Sequence, residues 1–317
     1  MNSASVSSDH LGAATTDRST WIAFGSMVLL AGGNAVAVRF SNSELPPFWG
    51  AAMRFAAAAL VFWIVVAMRR LSLPRGRALL GAVLYGLVGV GAAYAFLYWG
   101  LLRAPASLAG AVLAFVPLLT LFFAWAHGLE ELRWRGVAGA VIATAGVLIG
   151  VVRGFGGSAH VPSVLALVAG VASMAESSVI FKLFPQSDPL VTNALAFTTG
   201  TPFLVGLSIL AREEWSLPRS ATTWAAFAYL ALIGSVVVFY LYLRVLSRWT
   251  ASATSYSFLL IPVATVVIAA WLLGEVVTLS FLIGAALVLA GVWVGAIQSS
   301  PKAVELTCGD MPSKAIC

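Results

Sequence analysis

Ten apolar stretches dominate this chain, each close to the length that spans a membrane and separated by gaps too short to hold a folded domain. A helix rises about 1.5 Å per residue and the hydrocarbon core of a bilayer is about 30 Å thick, so roughly 20 apolar residues are needed to cross it. The stretches run over residues 21–38, 46–68, 78–101, 106–126, 137–152, 162–181, 190–210, 222–243, 251–273 and 279–297. They predict an all-α membrane protein with ten transmembrane helices. Composition excludes a water-soluble fold: 61% of residues are hydrophobic and only 9% charged, against roughly 25% charged in an average soluble domain.

The net charge of +6 does not point to nucleic acid, because the basic residues are scattered through the short gaps and form no continuous stripe. With the N-terminus inside, the cytoplasmic gaps and termini receive 12 of the 18 Lys and Arg residues, the opposite side receives 5, and Arg54 falls within the second span. Cytoplasmic loops of membrane proteins carry the excess of Lys and Arg, so this asymmetry predicts both termini in the cytoplasm and an even number of spans.

Residues 1–20 are rich in Ser, Thr and Ala and lack the basic start and apolar centre of a cleavable signal, so they read as a disordered cytoplasmic leader. Residues 298–317 read as a disordered cytoplasmic tail. Both cysteines, Cys308 and Cys317, lie in that tail and cannot staple the core, and Lys314 stands where a prenylated Cys would be needed.

Sliding the chain along itself by 145 residues superposes uncommon residues. Arg103, Ala106, Ser107, Pro117, Thr120, Glu130, Gly139, Gly146 and Gly150 meet Arg248, Ala251, Ser252, Pro262, Thr265, Glu275, Gly284, Gly291 and Gly295. This is the mark of a duplication, with one five-helix repeat over 21–152 and a second over 162–297. An odd number of spans per repeat forces the second copy to enter the membrane from the opposite side. Inverted repeats of this kind build transporters, in which pseudo-symmetry lets a central site face either side in turn.

Gly146 and Gly150, like Gly291 and Gly295, form GxxxG pairs that fit close helix packing better than substrate contact. Pro117 and Pro262 each remove a backbone hydrogen bond about a dozen residues into their span, and serve either as passive kinks or as hinges.

Glu176 stands deep in the sixth span, where a lipid-facing carboxylate costs about 2.5–3.5 kcal/mol, so it should face the interior. There it is either a partner for a substrate ammonium, a proton site, or a neutral hydrogen-bonded acid joining helices. Asn34, beside Gly32 and Gly33, either meets a ligand where the helix is weakened or bonds a neighbouring helix. Tyr94 and Tyr98 share a helix face one turn after Gly91, with Tyr240 and Tyr256 as candidates for the opposing wall. Such tyrosines suit an aromatic or apolar amino acid, though interfacial belts and packing use them too. Trp21, Trp49, Trp63, Trp134 and Trp249 lie near span ends and fit the aromatic belt. Arg54 is expected to pair or to snorkel, and Lys182 to mark the cytoplasmic end of the sixth span.

A membrane-embedded enzyme would need nucleophile, base or metal ligands at depth, yet His10, His127 and His160 fall in the leader or loops and no phosphate-cradling glycine loop occurs. No cofactor or metal is expected, and the partners are a small molecule and lipid. A channel needs a ring of carbonyls or charges that one chain does not reveal. The inverted repeat weighs against both.

Particular residues also resemble a known family. Gly32-Gly33-Asn34-Ala35-Val36-Ala37-Val38-Arg39-Phe40, Leu45-Pro46-Pro47-Phe48, Arg54-Phe55, and Ala106-Ser107 before Pro117-Leu118-Leu119-Thr120 and Glu130 are similar to the repeat of the drug/metabolite transporter superfamily in its EamA branch. Ala251-Ser252, Ile261-Pro262-Val263 and Leu273-Gly274-Glu275 repeat the later part. The resemblance implies ten helices, no ATPase, an inner membrane location, and export of amino acids, aromatic ones among them, or of other small metabolites. The first repeat departs from the pattern with Gly128-Leu129-Glu130-Glu131, leaving either Glu130 or Glu131 in the place of the family's glutamate.

Overall fold

The structure, a computed structural model, describes residues 18–101, 103, 112–151, 161–273 and 279–297. Leader residues before 18, the tail with its two cysteines, and Ala106, Ser107 and Glu275 lie outside the described residues. The helices are α1 (Arg18–Ser41), α2 (Pro47–Met68), α3 (Arg77–Leu101), α4 (Val116–Ala126), α5 (Trp134–Val151), α6 (Val161–Leu183), α7 (Pro189–Leu210) and α8 (Ala221–Arg248). After them come α9, in two pieces Ala251–Ser255 and Ser257–Leu273, and α10, Leu279–Val292 continued by a π-helical turn Trp293–Ile297. Seven of these contain segments long and apolar enough to cross a membrane, and α4, α5 and α10 contribute the shorter apolar helices. A helix stands at each of the ten expected places, the fourth described from Val116 on.

Large apolar side chains such as Ile22, Leu29, Leu60, Leu165 and Trp271 lie exposed on the outer surface. In water a surface of this kind would drive aggregation; in lipid it is the solvent-facing side.

The two repeats are interleaved. Helix α1 packs on α8 and α9, as its counterpart α6 packs on α3 and α4; α2 packs on α8, as α7 packs on α3; and α2 meets α7 while α5 meets α10. Each helix therefore finds its main partners in the other repeat. Pairs formed by equivalent helices straddle a pseudo-two-fold axis.

Glycine sets the closest of these approaches. A Cβ on Gly139 would stand 2.5 Å from the Gly295 backbone, one on Gly146 2.6 Å from the Gly284 carbonyl, and one on Gly291 2.5 Å from the Gly139 carbonyl and the Ala143 nitrogen. Backbones this near gain dispersion along the whole α5·α10 seam, which is the main attraction between helices in lipid.

The prolines sit differently from one another. Pro117 lies in the first turn of α4, where its missing N–H costs no helical bond, and the break comes just before it at residues 114–115. There the Ala114 carbonyl accepts a hydrogen bond from Thr144 Oγ1 at 2.9 Å. Pro262 stands inside the second piece of α9, after the interruption at Tyr256. A common kink at both prolines was the expectation; each helix instead breaks upstream of its proline, by a different number of residues.

Candidate functional site

An aromatic cluster fills the space where α2, α3, α7 and α8 converge. The fully buried Phe55 ring lies 4.8 Å from Tyr94 and 5.1 Å from Phe197, and Phe239 lies 5.0 Å from Phe197 and 6.4 Å from Tyr94. Tyr94 and Phe239 are equivalent under the 145-residue repeat, so their contact lies on the pseudo-two-fold axis. Just before each residue the helix widens into a π-helical segment, Gly86–Ala92 in α3 and Tyr229–Val237 in α8, again at equivalent positions. π-Helical turns interrupt the regular hydrogen-bond ladder and often mark functional sites.

Tyr98 extends the cluster, its ring 6.3 Å from Tyr94 and 6.3 Å from Phe48, and the half-buried Tyr240 packs against the same core. Tyr256 does not join them. It is buried between α5 and α10 beside Ala140 and Val288, and its hydroxyl donates to the Gly136 carbonyl at 2.9 Å. A tyrosine whose hydroxyl is satisfied this way reads as part of the helix packing.

Arg54 is 6% exposed, and its guanidinium lies 4.4 Å over the Phe55 ring and 5.5 Å over the Tyr94 ring. Its Nε has no hydrogen-bond partner, and no carboxylate among the described residues pairs with it. Among the described residues it has no acidic partner, its guanidinium reaching the Tyr94 hydroxyl instead, and at 6% exposure it does not snorkel. A mid-membrane Arg costs about 2.5–3.5 kcal/mol on insertion scales, which cation–π contacts of about 0.5–2 kcal/mol each offset only in part.

Asn34 packs against Gly234 in the α8 π segment, and its buried Oδ1 has no partner among the described residues. Helix α1 stays continuous around it, with side chains of the second repeat bonding its carbonyls: Tyr229 donates to Leu30 at 2.8 Å and Thr265 to Gly32 at 2.9 Å.

Glu176 faces inward, its Oε1 3.4 Å from His127 Nε2 while its Oε2 is buried without a partner. His127 Nδ1 lies 2.9 Å from the Phe123 carbonyl, and a carbonyl only accepts, so Nδ1 carries a proton. The Nε2 contact with Glu176 then requires one further proton between them, giving either imidazolium and carboxylate or neutral imidazole and carboxylic acid.

Two sets of carboxylates tie the repeats together, one at each face. On the first face, Glu44 after α1 accepts from the Arg219 and Ser220 nitrogens ahead of α8, at 2.6 and 3.2 Å. Glu213 after α7 accepts from Phe48 and Trp49 at the start of α2, at 3.1 and 2.8 Å. Each loop thus caps the helix that follows the other, using free N–H groups and the positive end of a helix dipole. On the opposite face, α4 ends in a Schellman turn, with Gly128 at φ +71° and the Leu129 nitrogen bonded to the Ala124 carbonyl at 2.8 Å. That turn aims Glu130 at α9, where Oε1 accepts from the Ser252 nitrogen at 3.1 Å and Oε2 from the Ser252 hydroxyl. Glu131 is exposed; Glu130 is the glutamate that makes the contact. Lys182, at the end of α6, lies within electrostatic reach of Glu130.

The donors around Glu44, led by the Arg219 N–H, pull its carboxyl pKa from 4.5 down to about 2. A carboxylate whose pKa is depressed on folding adds stability that is complete above its unfolded value and fades as pH falls toward the folded one. Replacing Glu44 with glutamine is therefore expected to lower the thermal midpoint of detergent-solubilised protein at pH 7, by a margin that narrows below about pH 4.5. Unfolding midpoints from pH 7 to pH 3 check this, and a margin that widens on acidification contradicts it.

The EamA-like transporter family model matches residues 19–152 and again 161–296. The chain belongs to the EamA-like transporter family. Among its relatives is a Streptantibioticus cattleyicolor protein described as "Probable terminal-alkyne amino-acid exporter", 30% identical over 75% of this chain and 80% of that one. An inner membrane transporter of Escherichia coli is 28% identical over 79% of this chain and 81% of its own. A Salmonella typhimurium protein described as "Probable amino-acid metabolite efflux pump" is 28% identical over 84% and 91%. The fold matches a solved crystal structure with a TM-score of 0.76 at 24% identity, over 88% of this chain and 97% of that chain.

As an EamA-like protein the chain is a multi-pass membrane transporter for a small molecule. The structure brings Tyr94, Tyr98 and Tyr240 into one cluster, sets Asn34 against α8 and Glu176 beside α4, and holds Tyr256 apart. Sequence reasoning missed the part played by His127, because a histidine after a helix reads as a loop residue until α4 packs on α6.

Proposed function

We propose that the protein exports amino acids from the cytoplasm across the inner membrane by alternating access, with both termini inside. The observation that carries this reading is the contact of Tyr94 with its repeat equivalent Phe239 on the pseudo-two-fold axis, between π-helical segments at equivalent positions. A site on that axis keeps its lining when the two repeats exchange conformations, as alternating access requires. Relatives described as exporters of amino acids and their metabolites support the substrate class.

In this reading Tyr94, Tyr98, Tyr240 and Asn34 line the substrate path, and Glu176 with His127 holds the proton that exchanges against substrate. The breaks ahead of Pro117 and Pro262 serve as hinges. The Glu130–Ser252 contact latches the cytoplasmic face. Opening that latch as the outer face closes exposes the site to one side at a time.

Uptake of labelled amino acids into proteoliposomes, with and without an imposed pH gradient, tests this. Saturable flux that rises with the gradient in wild type and loses that dependence in Glu176→Gln is the expected result. Folded protein that carries no amino acid above empty liposomes overturns the substrate assignment.

A further inference from the structure

The geometry points to Arg54 as the binding group for the carboxylate of the transported molecule, an assignment that rests on the amino acid reading and adds a specific contact to it. Arg54 is 94% removed from the surface, yet no acid among the described residues neutralises it and its Nε is left without an acceptor. The rings of Phe55 and Tyr94 cover its guanidinium at 4.4 and 5.5 Å. The Tyr94 hydroxyl lies within hydrogen-bond reach of the guanidinium, while the Nε–H is left without an acceptor; rings shield the faces of a guanidinium but do not accept in-plane N–H groups, which match the two oxygens of a carboxylate. An anion of that shape complements the guanidinium.

Depth agrees with this placement. Arg54 lies about 10 Å along α2 from its start, and Tyr94 about 10 Å from the end of α3, which opens on the same face. Both therefore stand at one level, well inside the hydrocarbon thickness. Phe55, Phe197 and Phe239 beside them make the surroundings apolar and aromatic, which suits a ligand body of the same kind. The ligand class is a small organic monocarboxylate with an apolar side chain, and the α-carboxylate of an amino acid qualifies.

Three probes on the purified full-length protein in lipid nanodiscs test the assignment: L-phenylalanine, 3-phenylpropionate, which keeps the carboxylate without the amine, and phenethylamine, which keeps the amine without the carboxylate. The two carboxylates are expected to bind wild type and raise its thermal midpoint, and phenethylamine to leave it unchanged. Arg54→Gln is expected to weaken carboxylate binding by roughly 30-fold or more. Arg54→Lys, which keeps the charge without the fork, is expected to retain part of it and serves if the glutamine variant does not fold. Equal binding of phenethylamine, unchanged carboxylate binding in folded Arg54→Gln or Arg54→Lys, or no carboxylate binding to folded wild type overturns the site. The outcomes also separate the two readings: Arg54-dependent binding of 3-phenylpropionate without amino acid flux removes the amino acid assignment alone, whereas full amino acid flux in Arg54→Gln removes Arg54 alone.

Discussion

Replacing Gly291 with valine is expected to lower the yield of monodisperse protein sharply and to drop its thermal midpoint by several degrees. The reason is geometric. A Cβ there would stand 2.5 Å from both the Gly139 carbonyl and the Ala143 nitrogen, and both are backbone atoms that cannot rotate away. Helices α5 and α10 must then move apart, and every contact along their seam weakens together. Overpacking in a core costs about 1–3 kcal/mol and sometimes more; here the loss spreads to the Gly139–Gly295 and Gly146–Gly284 approaches on the same seam. Gly206→Ala in α7 is the control, because nothing lies within 4 Å of its missing Cβ. Fluorescence-detected size exclusion after heating measures both, and equal midpoints for the two variants contradict the seam.

Removal of the Glu130 carboxylate is expected to cut amino acid flux by about tenfold or more while leaving the protein folded. The carboxylate accepts two hydrogen bonds at the start of α9, from the Ser252 nitrogen and hydroxyl. A hydrogen bond to a charged group contributes about 1.5–3 kcal/mol, and tenfold in an equilibrium is about 1.4 kcal/mol. Losing the latch therefore shifts the balance toward the state open on that face by about tenfold to a hundredfold. Glu130→Gln keeps the shape but can accept through only one of its two terminal atoms. Glu131→Gln changes the same net charge on an exposed neighbour and is expected to leave flux unchanged. Similar flux in both variants removes the latch from the mechanism.

Much of the architecture is legible in the sequence because lipid imposes a single rule, about 20 apolar residues per span, and among the described residues seven helices meet it while α4, α5 and α10 are shorter. Helix α8 runs on to Arg248 where the apolar run stops at Leu243, and α1 likewise extends past its apolar run at both ends. The repeat offset is visible in paired residues such as Pro117 and Pro262, and it implies the interleaving of helices without giving their partners.

Contacts between distant residues are not visible in the same way. Glu44 with Arg219, Glu213 with Phe48 and Glu130 with Ser252 join residues 122 to 175 positions apart, and nothing local marks them. Tyr256 looked equivalent to the other tyrosines because composition does not say which face of α9 turns toward α5. Arg54 has the opposite history. Its place in an apolar span is plain from the sequence, but the absence of a carboxylate among its described neighbours appears only once α2, α3 and α8 are packed.

The most direct test of alternating access is labelling of a single cysteine at Tyr98, with Cys308 and Cys317 replaced by serine, using a membrane-impermeant thiol reagent applied to each side of sealed vesicles. The account predicts reaction from both sides, with Glu130→Gln raising the rate from the cytoplasmic side and lowering it from the other. Labelling from one side alone, or from neither, in protein that remains folded contradicts it.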